Sequence, residues 1–174
     1  MKNLQIESGP PINNDDCPDA FIFYQIETFD SSLWTTDGLP EPGLCGPGNN
    51  VFQDGWFIYT AECSGLVTFT MDGVFGTRIL VYDGHCGLLV PIACSADTGC
   101  GPEKATVTFP AEEDFEYILR VGSCEEGQSG VATLAVSCAT IQVPALPPAG
   151  AVCLIASLLL AGIFALGRRK APAI

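Results

Sequence analysis

One histidine and twenty carboxylates bound the chemistry open to this chain of 174 residues. His85 sits in the turn-like run Asp83-Gly84-His85-Cys86-Gly87. A serine triad built on it would need a nucleophile elbow, and no Gly-x-Ser-x-Gly occurs. No Gly-x-x-x-x-Gly-Lys phosphate loop and no dinucleotide fingerprint is present either. The acidic neighbours Asp15-Asp16 and Glu112-Glu113-Asp114 are adjacent in sequence. On a strand such neighbours point to opposite faces, so they do not flank one glycosidic bond. These residues predict a domain that is not an enzyme.

Calcium is the ion the acids suit. It accepts six to eight oxygens from carboxylates, amides and carbonyls in flexible geometry. Asn14, Asp15 and Asp16 supply three such side chains in a row, and Asp83 and Asp97 lie in loops flanking the Cys86–Cys94 segment. These five are the expected calcium ligands; solvated turn acids, with Asx turns at Asn14 and Asp37, are the alternative. A zinc cluster of His85, Cys86, Cys94 and Cys100 lacks a paired Cys-x-x-Cys.

Of nine cysteines, eight precede Val143: Cys17, Cys45, Cys63, Cys86, Cys94, Cys100, Cys124 and Cys138. An even set fits up to four disulfides in an oxidising compartment. Cys86–Cys94 is expected to clamp a loop between two strands. Cys17–Cys45 would tie the N-terminal segment to the Gly/Pro-rich loop around 43–50. Partners for the remaining four stay open.

These groups are positioned by strands. Apolar residues recur at every second position: Val67 and Phe69, Val107 and Phe109, and Phe115, Tyr117, Leu119 and Val121, with Glu116, Ile118 and Arg120 opposite. Further candidates are Phe21–Glu27, Gly55–Ala61, Arg78–Tyr82, Leu89–Cys94 and Val131–Val136. Asp37-Gly38, Asp72-Gly73, Asp83-Gly84 and Ser129-Gly130 supply turns between them. Eight or nine short strands without an amphipathic helix predict an antiparallel sandwich or jelly roll. In Asp54-Gly-Trp-Phe-Ile-Tyr-Thr, Trp56 and Ile58 are expected to face the core and Phe57 and Tyr59 to face away.

Asn14-Asp-Asp-Cys-Pro-Asp-Ala, Thr35-Thr-Asp-Gly, Asp54-Gly-Trp-Phe-Ile-Tyr-Thr-Ala, Thr77-Arg-Ile-Leu-Val-Tyr-Asp-Gly, Ala93-Cys and Tyr117-Ile-Leu-Arg-Val-Gly-Ser follow in this order. The series resembles secreted bacterial β-sandwich domains related to the pre-peptidase C-terminal family, over roughly residues 13–138. The resemblance implies a non-catalytic jelly-roll-like module of secreted or surface proteins. Trp34 stands where such domains usually carry a small residue, which implies an exposed ring able to stack on a sugar; an ordinary partly buried Trp is the competing reading.

From Ala149 to Gly167 the chain carries no charge, and Arg168-Arg169-Lys170 follows. Nineteen helical residues rise about 28 Å, close to the hydrocarbon thickness of a bilayer. The basic cluster predicts a cytoplasmic tail and an ectodomain outside the membrane. Before Val143 four basic residues face twenty acidic ones, a net −16, which excludes nucleic acid as a partner. Val143-Pro144-Ala145-Leu146-Pro147-Pro148 with the helix and basic end resembles a bacterial C-terminal sorting signal of the IPTL or PEP type. That resemblance implies recognition by a membrane-embedded sorting enzyme through Val143, Pro144, Leu146, Arg168, Arg169 and Lys170. The expected organisation is a disordered segment 1–12, a sandwich 13–140, a linker 141–148, a membrane helix 149–167 and a tail 168–174. Residues 1–11 hold no apolar run of the signal-peptide kind, so export predicts a signal peptide upstream in a longer reading frame; a tail-anchored protein with a reducing cytosolic domain is the alternative. The expected function is a structural or adhesive module of the bacterial envelope, with the bilayer and an envelope glycan or protein as partners. A displayed carbohydrate-binding module is the alternative.

Overall fold

The computed structural model describes residues 14–38, 50–95 and 104–140. Nine strands occur among them: β1 (Phe21–Phe23), β2 (Ile26–Asp30), β3 (Phe52–Thr60), β4 (Gly65–Gly73), β5 (Thr77–His85), β6 (Leu88–Cys94), β7 (Ala105–Ala111), β8 (Glu116–Ser123) and β9 (Val131–Thr140). They form a five-stranded sheet, β1-β3-β8-β5-β6, and a four-stranded sheet, β2-β9-β4-β7. Every pairing is antiparallel except β1 with β3. The expected all-β sandwich is what the chain forms. The run expected as one strand, Phe21–Glu27, is two: β1 joins one sheet, and after Tyr24-Gln25 β2 joins the other.

Period-two patterning builds the core between the sheets. β4 turns Val67, Phe69 and Met71 inward, and β7 turns Val107 and Phe109 inward, while their threonines face out. From the five-stranded sheet come Phe57, Tyr59, Ile79, Val81, Tyr117, Leu119 and Val121. Aromatic rings lock the two layers: Tyr59 meets Phe69 edge-on at 5.0 Å, and Phe109 meets Tyr117 at 5.0 Å. Such pairs add about 0.5–1.5 kcal/mol each beyond area burial.

The choice of core face in β3 is therefore reversed from the sequence expectation. Phe57 and Tyr59 fill the inter-sheet core, while Trp56 and Ile58 lie on the other side. Trp56 is buried there too, because β3, β8 and β5 are covered on both faces. Val51, Trp56, Leu80, Tyr82 and Ile118 form a second cluster, with Cys17 and Ala20 packed on it. Cys17 opens and Ala20 caps a single 3-10 turn, Cys17–Asp19, that lies over β3.

Disulfides fasten this cover. Cys17 bonds Cys86, Cα atoms 5.7 Å apart, joining the 3-10 turn to the β5–β6 hairpin. Cys63 bonds Cys138, Cα atoms 6.3 Å apart, joining the β3–β4 turn to β9. Cys94 and Cys124 are disulfide-bonded as well. The expected pairs Cys86–Cys94 and Cys17–Cys45 are corrected, since Cys17 and Cys86 hold each other. The reason lies in the hairpin. β6 begins at Leu88, directly after the turn at Cys86-Gly87, and Cys94 pairs with Leu80 at its far end. At 3.3 Å per residue, Cys94 is about 20 Å along the strand from the turn. Cys45 lies outside the described residues.

Candidate functional site

Where the N-terminal segment crosses β3, the polar residues of the fold gather. Asn14 is fully buried: its Nδ2 donates to the Trp56 carbonyl at 3.0 Å, and its carbonyl accepts from the Trp56 amide at 2.8 Å. Asn14 thus docks on β3 through both its backbone and its side chain. The Asp15 carboxylate accepts from the Thr35 amide at 2.6 Å and from Thr35 Oγ1 at 3.1 Å. Thr35 Oγ1 also lies 2.8 Å from Asp37 Oδ1, so one hydroxyl proton serves two carboxylates. The Asp16 carboxyl is raised from its ordinary value by its hydrogen bond with Asp37 and the Asp37 charge.

Beneath this exposed rim lies a buried ion pair that the sequence reading missed. Arg120 Nε donates to Asp54 Oδ2 at 2.7 Å, with the side chains 1% and 0% exposed. Arg120 Nη2 also donates to the Val51 carbonyl at 3.2 Å, and its guanidinium lies 5.4 Å from the centre of the Trp56 ring. Burial pushes the Asp54 carboxyl up, against the pull of the Arg120 hydrogen bond and charge. Burial also works against the Arg120 charge, but Asp54 and the Tyr82 hydroxyl overcome it and hold the guanidinium above its ordinary value. Gly38 closes the lid: a Cβ there would fall 1.9 Å from the guanidinium carbon. The only hint in the sequence was Arg120 alternating with Ile118 on the β8 face turned away from Tyr117 and Leu119.

Among the described residues, Asn14 Oδ1 and Gln53 Oε1 are buried with no hydrogen-bond partner, and Asp54 Oδ1 is buried as well, with the Asp37 backbone also acting on its carboxyl. Of the expected calcium ligands, Asn14, Asp15 and Asp16 lie here, and Asp37 joins them. Asp83 is exposed near the end of β5, and Asp97 lies outside the described residues. Among the described residues no three His, Cys, Asp or Glu side chains converge to hold a metal. Cys86 and Cys94 are both in disulfides, so neither is a thiolate ligand. His85 is exposed opposite Leu88 in the hairpin.

Trp34 follows the buried reading and not the exposed one. It is 7% exposed and stacks on Phe29 with ring centres 4.9 Å apart. Gly55 leaves it room, since a Cβ there would come within 2.5 Å of the indole. The ring is a core side chain and presents no sugar platform. Trp34→Ala should therefore cost about 3–5 kcal/mol of stability, the range for truncating a buried aromatic. Urea unfolding checks it; a loss below about 1 kcal/mol would return Trp34 to the surface.

The residues expected to anchor and sort the chain, Val143, Pro144, Leu146, Arg168, Arg169 and Lys170, lie outside the described residues, as does the span 149–167. Among the described residues no helix is long and apolar enough to cross a membrane.

No family model matches the chain, and no curated protein matches it. Among solved structures, the pre-peptidase C-terminal domain of a collagenase from Bacillus anthracis is similar over 68% of this chain and 94% of its own. Its identity is 12% and its TM-score 0.41. The surface-associated copper-binding protein CorA of Methylomicrobium album BG8 is similar over 69% of this chain and 98% of its own, with 12% identity and a TM-score of 0.45.

Proposed function

We propose that the chain is a non-catalytic module of the bacterial cell envelope, structural or adhesive in role. The span 149–167 holds it at the membrane, and the sandwich stands on the outer side. The observation that carries this reading is the disulfide pair Cys17–Cys86 and Cys63–Cys138, which persists only in an oxidising compartment. The polar groups that the fold buries support it further. Asp54 and Arg120 neutralise each other in a closed site rather than opening to a substrate. A sorting enzyme acting on residues 143–170 belongs to the same reading. The topology is tested with reporters: one fused after Ile174 stays cytoplasmic, and one inserted before Val143 is exported. The opposite labelling removes the anchor. The carbohydrate-binding alternative loses the residue on which it rested, since Trp34 is in the core.

A second reading concerns calcium. Asp16 and Asp37 press their carboxyls together, with Asp15 joined through Thr35; since no three carboxylates converge among the described residues, main-chain carbonyls and water would have to complete a calcium shell here. A divalent cation there would relieve the repulsion between the two carboxylates. Calcium binding to the folded form alone at a hundredfold excess over Kd stabilises it by about 2.7 kcal/mol. The melting temperature should rise with millimolar calcium, fall back with chelator, and respond less in Asp16→Ala and Asp37→Ala. An equal rise with sodium at matched ionic strength is screening, and contradicts a site.

A further inference from the structure

Disulfide connectivity sets how far this domain can lengthen when its ends are pulled. Cys17–Cys86 joins residues 69 apart and Cys63–Cys138 joins residues 75 apart. The two loops interlace, since Cys63 lies inside the first and Cys86 inside the second. Tension applied at Asn14 soon reaches Cys17 and crosses its bridge to Cys86. Tension applied at Thr140 soon reaches Cys138 and crosses to Cys63. A covalent route between the bridges then runs back along 63–86. The chain cannot lengthen by more than that segment, whatever Cys94 and Cys124 bond.

The loaded segment is β4 and β5 with their link. β4 is interior to the four-stranded sheet, between β9 and β7, and β5 is interior to the five-stranded one, between β8 and β6. For the segment to extend, each strand must leave both of its neighbours together. The inward side chains Val67, Phe69, Met71, Ile79 and Val81 are all fully buried. Thr77 ties the strands near their link: its hydroxyl donates to the Met71 carbonyl at 3.2 Å and accepts from the Ala105 amide at 3.1 Å. Without the bridges a pull would meet weaker elements first. β1 is an edge strand of 3 residues and β2 an edge strand of 5, and Cys17–Cys86 takes both out of the path. Cys63–Cys138 does the same for β9.

We propose that the domain is a tension-bearing spacer, which carries load from its N-terminal end to its C-terminal end and yields only through β4 and β5. The bridges stand within a few residues of Asn14 and Thr140, which is where an external pull enters the sandwich. The inference rests on the envelope-module reading, which supplies a membrane holding one end. At about 3.5 Å per residue, the segment 63–86 spans at most roughly 80 Å, against roughly 440 Å for the whole of 14–140.

Optical-tweezers extension of the full chain in mild detergent tests it, with handles fixed by non-thiol chemistry at positions 13 and 142. The oxidised natural sequence should lengthen by about 100 Å at most when it gives way, and about fivefold more once a reductant has opened the bridges. Cys17→Ser with Cys86→Ser, or Cys63→Ser with Cys138→Ser, should each roughly double the lengthening, because a single bridge leaves about 50 residues in the path. Leu134→Ala weakens β9 without rerouting the load and should leave the lengthening unchanged. Several hundred ångströms of lengthening in the oxidised natural protein overturns the proposal, as does a lengthening that reductant leaves unaltered. Both results are read on purified protein, apart from the reporter labelling, whose reversal would remove the anchor instead.

Discussion

Arg120→Met should destabilise the sandwich by about 3–5 kcal/mol, the cost of leaving a buried charge without its partner. With total stabilities of about 5–15 kcal/mol, that loss removes a large part of the margin. The structure makes Arg120 unusually exposed to this penalty. Asp54 is fully buried beneath it, so its carboxylate relies on Arg120 for its counter-charge. Methionine also gives up the contact over Trp56 and the bond to the Val51 carbonyl. Replacing both residues, Asp54→Leu with Arg120→Met, should recover much of the loss, because the surrounding Val51, Trp56, Leu80 and Ile118 are apolar. Urea unfolding of the single and double variants reads this; a single variant within about 1 kcal/mol of the natural protein would mean that the pair is solvated. The pH dependence has a defined sign. Folding raises the Asp54 carboxyl, so the folded state takes up this proton before the unfolded chain does. Its titration therefore adds stability on the acid side and withdraws it as pH rises from the ordinary aspartate value through the raised one. Asp54→Asn should remove that downward slope.

Loss of the Cys63–Cys138 bridge should be nearly as severe. The two cysteines are 75 residues apart, a loop for which chain-entropy arguments give about 4 kcal/mol. The bond also holds β9 where it pairs with β4, since Cys138 lies opposite Val67 in that register. Cys63→Ala with Cys138→Ala should therefore lower the urea midpoint without changing the secondary structure of what remains folded. Cys17→Ala with Cys86→Ala releases a loop of similar length but only the outer cover, so the core rings should keep their near-ultraviolet signature. Equal loss of that signature in both double variants would show that the cover and the core are one cooperative unit.

Alternation made the strands legible. Val67-Phe69, Val107-Phe109 and Tyr117-Leu119-Val121 all point into the core that their spacing predicts. Alternation assigns residues to two sides but does not say which side is inside. In β3 both sides are buried, so Trp56 looked as good a core residue as Phe57. The cover that buries the second side comes from residues 14–20, whose polar sequence gives no periodic signal. Alternation left Trp34 between two readings for a related reason: its pocket depends on Gly55, twenty-one residues away, and on Phe29 from β2. The Asp54–Arg120 pair is sixty-six residues apart in sequence, and nothing local marks either partner. Disulfide pairing was equally hidden, because Cys17 and Cys86 meet only when the N-terminal segment folds over the β5–β6 hairpin.

Disulfide mapping on protein from its own cells, alkylated before lysis, tests the account at its centre. A non-catalytic sandwich on the oxidising side of the membrane predicts peptides linked through Cys17–Cys86 and through Cys63–Cys138, with Cys94 and Cys124 also protected. Free alkylation of these six cysteines without reductant would contradict the compartment, and a Cys86–Cys94 or Cys17–Cys45 link would contradict the way residues 14–20 cover the five-stranded sheet.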